Sequence, residues 1–276
     1  MKNSYQDSYL KRIISFFLIS HGLPFLLTAV FLVLEKSLYI STPLYGKLTY
    51  IGLVSPTFAA LFIVFKYYQR EERKSYWESF IDFRRISLKW YLIIFSFPLL
   101  IRLLGSVIAG LTMGQFQFEL STEMTLSYAF ILFFFGPVPE EIGWRGVALP
   151  NLVKRFGFNA AVLFLGFMWA IWHFPLFLVE GTYQNQLGLF SPLFWNFMLG
   201  AFFTSIIYGV VYYETNRSIL GAILFHYIGN LTGESVVISY HAELITTVLR
   251  GAIALFILIY YGRNLKRNIH IEKGFK

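Results

Sequence analysis

Eight apolar stretches, each about 18 to 25 residues long, can be drawn along this chain: 13–34, 48–67, 90–112, 126–150, 159–179, 193–213, 218–238 and 244–262. That is the length an α-helix needs to cross roughly 30 Å of hydrocarbon. Inside lipid each backbone N–H and C=O must find its partner within the protein, which for stretches of this length means helix. The expected fold is therefore all-α, a polytopic membrane bundle of about eight transmembrane helices. Composition agrees, with 57% hydrophobic and 14% charged residues where soluble domains carry roughly 25% charge. Because apolar runs recur along the whole length, residues 1–276 are expected to form a single membrane domain. The N-terminus resembles a signal peptide only in its basic start. Its apolar run continues to Leu34 without a small-residue cleavage pattern and reads as the first span.

The formal net charge of +8 does not indicate nucleic acid here, because the placement of the charge explains it. Alternate loops and termini carry 3, 6, 2, 1 and 5 lysines and arginines, and the remaining loops hold only Lys36 and Lys47. A split of 17 against 2 is a positive-inside pattern with both termini in the cytoplasm, and an odd number of spans would destroy it. The compact basic chain with short loops suggests a prokaryotic plasma membrane. Residues 69–89 mix charge with Tyr76, Trp77 and Phe80 and fit either an interfacial helix or an ordinary charged loop. With no cysteine, disulfides, thiolate ligands and a cysteine nucleophile are excluded.

Ionisable side chains within a bilayer are costly and mark candidate functional sites. The candidates within the apolar stretches are His21, Arg102, Glu140, Glu141, Arg145, His173, His226, Glu234 and Arg250. On a helix Glu141 and Arg145 are one turn apart and can pair, while Glu140 points about 100° away and is left unpaired. His226 and Asn230 are also one turn apart. If the fourth and fifth spans turn at Phe156 and Gly157, Glu140 and His173 lie at similar depth. A bundle cavity below the cytoplasmic surface could then gather Glu140, His173, His226 and Asn230. His21 reads instead as a packed histidine, and Arg102, Glu234 and Arg250 as snorkelling or interhelical partners. Pro137 and Pro139 remove backbone donors just before the acids and predict a kinked, water-admitting segment.

"EEIGWR", "WAIWH" and "HYIGN" resemble, in order and spacing, the EExxxR, FxxxH and HxxxN motifs of the CPBP family, also called the ABI or CAAX-protease-like family. The family includes CAAX prenyl endopeptidases and bacterial proteins tied to bacteriocin processing and self-immunity. The resemblance covers about residues 125–240, with Trp169 in place of phenylalanine as the one departure. It implies an intramembrane endopeptidase acting on a peptide or lipidated-peptide substrate near the cytoplasmic face. It further implies Glu140 as the base that activates water, His173 as a group that binds or orients that water, and His226 and Asn230 as the oxyanion hole. Glu141 and Arg145 would hold the site in shape.

The residue types suit that chemistry. Peptide hydrolysis needs an activated water and donors aimed at the developing oxyanion, and a carboxylate out of water is a stronger base than one in it. No cofactor is expected. The alternative is zinc bound by Glu140, His173 and His226, although the HExxH helix pair is missing. No serine lies in these motifs and GxSxG is absent. A transporter would call for paired broken helices in two halves, which the sequence lacks. A non-catalytic regulator or immunity protein is the remaining alternative.

Overall fold

The computed structural model describes residues 2–38, 52–122 and 124–268. The start of the second expected span, Lys47, Lys273 and Lys276 lie outside the described residues. The helices are α1 (Lys2–Leu38), α2 (Ser55–Tyr67), α3 (Arg70–Ile81), α4 (Leu88–Met113), α5 (Leu126–Phe135), α6 (Pro137–Gly143), α7 (Leu149–Phe156), α8 (Phe158–Trp172), α9 (Tyr183–Gln186), α10 (Pro192–Glu214), α11 (Ile219–Ser235) and α12 (Tyr240–Asn268). The chain is thus an all-α polytopic membrane bundle. Among the described residues, five helical segments are long and apolar enough to cross a membrane: Gln6–Leu34, Leu88–Met113, Phe158–Leu178, Pro192–Glu214 and Tyr240–Tyr261. Ser55–Tyr67 is a shorter apolar helix. Large apolar side chains such as Leu18, Leu92, Leu111 and Phe256 stay exposed on the outside, as a lipid-facing surface requires.

Helix α10 packs against α8 and α12, α12 against α4, and α1 against α2. One end of the bundle gathers the basic segments. Arg12 donates to Glu72 at 3.0 Å and to the Tyr67 carbonyl at 3.0 Å, so the start of α1 meets α3 there. Arg85 and Asn216 exchange hydrogen bonds through each other's carbonyl at 3.1 and 2.9 Å, and Phe158 meets Tyr261 at the same level. Residues 70–81 are helical, with a capping box between Gln69 and Glu72 and a partly exposed Trp77, which fits the interfacial reading. At the opposite end, β1 (Phe118–Leu120) pairs antiparallel with β2 (Val236–Ile238), with Glu119 across from Val237. This two-stranded ribbon ends the expected seventh span at Ser235.

The expected fourth span is broken, as the prolines predicted. Gly136, at φ −120° and ψ −88°, separates α5 from α6, and Pro137 opens α6, where a missing N–H costs nothing. Beyond Gly143 the backbone winds as a single π-turn, Trp144–Ala148, a feature that recurs at functional sites. The irregular segment is buried against neighbours that satisfy its backbone: Thr57 Oγ1 donates to the Pro139 carbonyl at 2.7 Å and Tyr76 OH to the Ile142 carbonyl at 3.1 Å. Non-helical backbone at membrane depth is tolerated only with such partners. Gly143 makes this packing possible, since a Cβ there would lie 2.5 Å from the Pro56 carbonyl oxygen.

Candidate active site

Because α6 begins at the kink, Glu140 closes its first turn and Glu141 opens the next, with different neighbours. Glu141 is fully buried and its Oε1 accepts from Arg145 Nη1 at 2.8 Å. Arg145 also donates to Ser205 Oγ at 2.9 Å, and its guanidinium lies over the rings of Trp169 and Tyr208 at 5.1 and 4.7 Å. The expected pair between Glu141 and Arg145 is present, one turn apart, despite the π-turn.

The same Glu141 Oε1 takes a second hydrogen bond, at 2.9 Å, from Nδ1 of His226 on α11. Arg145 has only donors, so Oε1 is an acceptor, and the same oxygen suits a second donor in His226. His226 therefore carries its proton on Nδ1 and turns Nε2 away from Glu141. Sequence spacing linked His226 to Asn230 along one helix; the structure adds a bond that ties His226 to the EExxxR segment.

Glu140 has a neighbour that spacing did not reveal. Trp169 Nε1 donates to Glu140 Oε2 at 2.7 Å, so Glu140 is not left unpaired as expected from its own helix. The Trp169 carbonyl in turn accepts from His173 Nδ1 at 2.8 Å. A carbonyl cannot donate, so the His173 proton sits on Nδ1 and Nε2 is left with its lone pair. Trp169 thus contacts both residues, Glu140 through its indole and His173 through its backbone. Glu140 and His173 make no hydrogen bond to each other among the described contacts. His173 caps the end of α8, where the chain turns into the 3-10 segment Phe174–Leu178.

Glu140, His173, His226 and Asn230 line one cavity of about 890 Å³. Asn230 is half-buried and sits near the kink, with its Nδ2 3.7 Å from where a Cβ on Gly136 would be. The inner wall includes Tyr208, and the cavity extends past Tyr183, Glu234 and Glu243 toward the bundle end that carries the β-ribbon. Its other wall is α5, which has no buried residue and contributes Tyr128, Leu132 and Phe135. Among the described residues, no three histidine or carboxylate side chains converge as a metal centre would require.

The remaining intramembrane charges separate cleanly. His21 Nε2 meets the Met168 carbonyl at 2.9 Å and Nδ1 meets Ser20 Oγ at 3.1 Å, a packing role as expected. Arg102 is an interhelical partner, bonded to Glu243 at 2.8 Å and to the Val236 carbonyl at 2.7 Å. Arg250 lines the cavity together with Glu243.

Comparison with known proteins places this arrangement. Residues 122–232 match the family model described as type II CAAX prenyl endopeptidase Rce1-like. The chain is also 30% identical over 218 residues to a protein from Methanococcus maripaludis named CAAX prenyl protease 2, covering 76% of this chain and 79% of that protein. The matched region contains every residue that the three sequence motifs singled out.

Proposed function

Because this chain belongs to the Rce1-like, type II CAAX prenyl endopeptidase family, the CPBP family that its motifs resemble, we propose that it is an intramembrane endopeptidase in which Glu140 activates the attacking water. The observation that carries this reading is the convergence of Glu140, His173, His226 and Asn230 on one cavity within the bundle.

In the proposed reaction a water lies between Glu140 and His173. Glu140 takes one of its protons, and the free Nε2 lone pair of His173 accepts a hydrogen bond from the other. The hydroxide oxygen bonds to the scissile carbonyl carbon, and the π electrons move onto the carbonyl oxygen. Asn230 Nδ2 and His226 Nε2 supply donors to that oxyanion. With Nδ1–H committed to Glu141, donation through His226 Nε2 requires protons on both ring nitrogens, and Glu141 stands beside the ring as counter-charge. Collapse of the intermediate breaks the C–N bond as Glu140 returns its proton to the leaving amine, the acid and base exchange that one positioned carboxylate can serve.

The reading needs no metal. Zinc on Glu140, His173 and His226 is the alternative: each histidine bonds an oxygen through Nδ1 and leaves Nε2 for a ligand, as metal-bound histidines usually do, but no metal-type trio converges among the described residues. The printed name of the relative suggests a prenylated peptide as substrate, and the thinly packed α5 gives a lipid chain a route to the cavity from the side.

Orientation follows from charge. The cavity extends away from Lys154, Arg155 and Arg217, toward the end that holds Glu119, Glu180, Glu234 and Glu243. With the basic end in the cytoplasm, the part of the cavity lined by Glu234 and Glu243 lies toward the other side of the membrane.

The test is cleavage of a prenylated peptide by the purified protein, with and without a tight chelator. The proposal expects the same activity in both. No cleavage of any peptide would contradict the endopeptidase reading, and loss to chelation restored by zinc would replace the water-activating Glu140 with a metal centre.

A further inference from the structure

Tyr208 on α10 lines the cavity, and the proposed reaction does not use it. The residue is only 3% exposed, and its surroundings fix the ring. The Arg145 guanidinium lies 4.7 Å over it, and the rings of His226, Phe225 and Trp169 lie 5.3, 5.3 and 5.7 Å away. The hydroxyl has no such commitment. Among the described residues it makes no hydrogen bond, and it is not sealed from the cavity. A buried tyrosine usually finds a partner for its O–H, and an exception calls for a reason.

The position of the hydroxyl supplies one. A Cβ added to Gly229 would lie 3.4 Å from it, and no side chain beyond the chain neighbours of Gly229 comes closer than 4 Å otherwise. His226, Gly229 and Asn230 stand at i, i+3 and i+4 on α11, so they share one helix face. The phenol therefore lies over that face, where a side chain at 229 would be, beside both residues proposed to hold the oxyanion. A hydroxyl on a locked ring is already in place when charge develops, which is what a preorganised donor needs.

We propose that Tyr208 donates a hydrogen bond to the scissile carbonyl oxygen as it becomes negative, a third donor beside His226 and Asn230. This rests on the endopeptidase reading above. The phenol keeps its proton throughout, and the electron pair that arrives on the carbonyl oxygen returns to carbon when the C–N bond breaks.

The test is steady-state cleavage of one prenylated peptide by full-length Tyr208→Phe, measured beside its thermal unfolding. The variant keeps the ring under Arg145 and loses the hydroxyl. An interaction made only in the transition state lowers kcat and kcat/KM together. Both should fall by on the order of tenfold to a hundredfold, the value of a hydrogen bond to a charged group, with KM and the unfolding midpoint unchanged. Adding Gly229→Ser to this variant returns a hydroxyl beside the vacated place and should recover part of the lost kcat, which a packing defect would not allow. A kcat within threefold of wild type in Tyr208→Phe, or a loss that the double variant leaves in full, overturns the assignment and leaves the endopeptidase reading in place. No cleavage by the wild type removes both.

Discussion

The indole N–H of Trp169 donates to Oε2 of Glu140 at 2.7 Å across two helices. The carboxylate proposed to activate water is thus held in place by a side chain that stands where the family pattern has phenylalanine, which cannot donate. Phenylalanine at this position would keep an aromatic ring beneath Arg145 but lose the hydrogen bond to Glu140 and part of the indole's volume.

Trp169→Phe is therefore expected to insert and fold while lowering kcat roughly tenfold, the lower range for a hydrogen bond to a charged group. KM should change little, because Trp169 acts through Glu140. Steady-state kinetics on one peptide substrate measures both, and an unchanged kcat would show that the bond does not position Glu140.

Glu141 has a different burden, since Arg145 and His226 both depend on the same oxygen. In Glu141→Gln the counter-charge for a His226 imidazolium is gone and Arg145 is left buried without an ionic partner. Activity should fall by on the order of a hundredfold or more, as for loss of an oxyanion donor. Thermal stability should fall as well, because unpairing a buried ion pair typically costs about 3–5 kcal/mol. Activity within threefold of wild type would dismiss the proposed role of His226.

The apolar stretches, the kink before the acids and the pairing of Glu141 with Arg145 were legible in the sequence because each depends on local spacing. Contacts between helices were not. His226 and Glu141 are 85 residues apart, and Trp169 and Glu140 are 29 apart, so no periodicity predicts them. The π-turn at Trp144–Ala148 had no sequence signal beyond its glycines and prolines. Depth arguments brought Glu140, His173, His226 and Asn230 to one level, and the four line one cavity; distance from a turn along a helix does not say on which side of that level the space lies.

Orientation can be read directly because the chain has no cysteine. Single cysteines at the exposed positions Lys154 and Glu180 mark the two ends of the bundle. In intact cells a membrane-impermeant thiol reagent should label Glu180→Cys and leave Lys154→Cys unlabelled until the membrane is opened. The reverse pattern would turn the cavity toward the cytoplasm and overrule the lysine and arginine count.

The most direct test of the central claim is the single-turnover cleavage rate of Glu140→Gln, measured beside its expression and thermal stability. The variant keeps the shape of the side chain and an oxygen to accept from Trp169, but it cannot take a proton from water. A folded protein with cleavage reduced at least a thousandfold, in line with the loss of a general base and its positioning, is the predicted result. A Glu140→Gln protein that cleaves within tenfold of wild type would contradict the assignment of Glu140 as the residue that activates water.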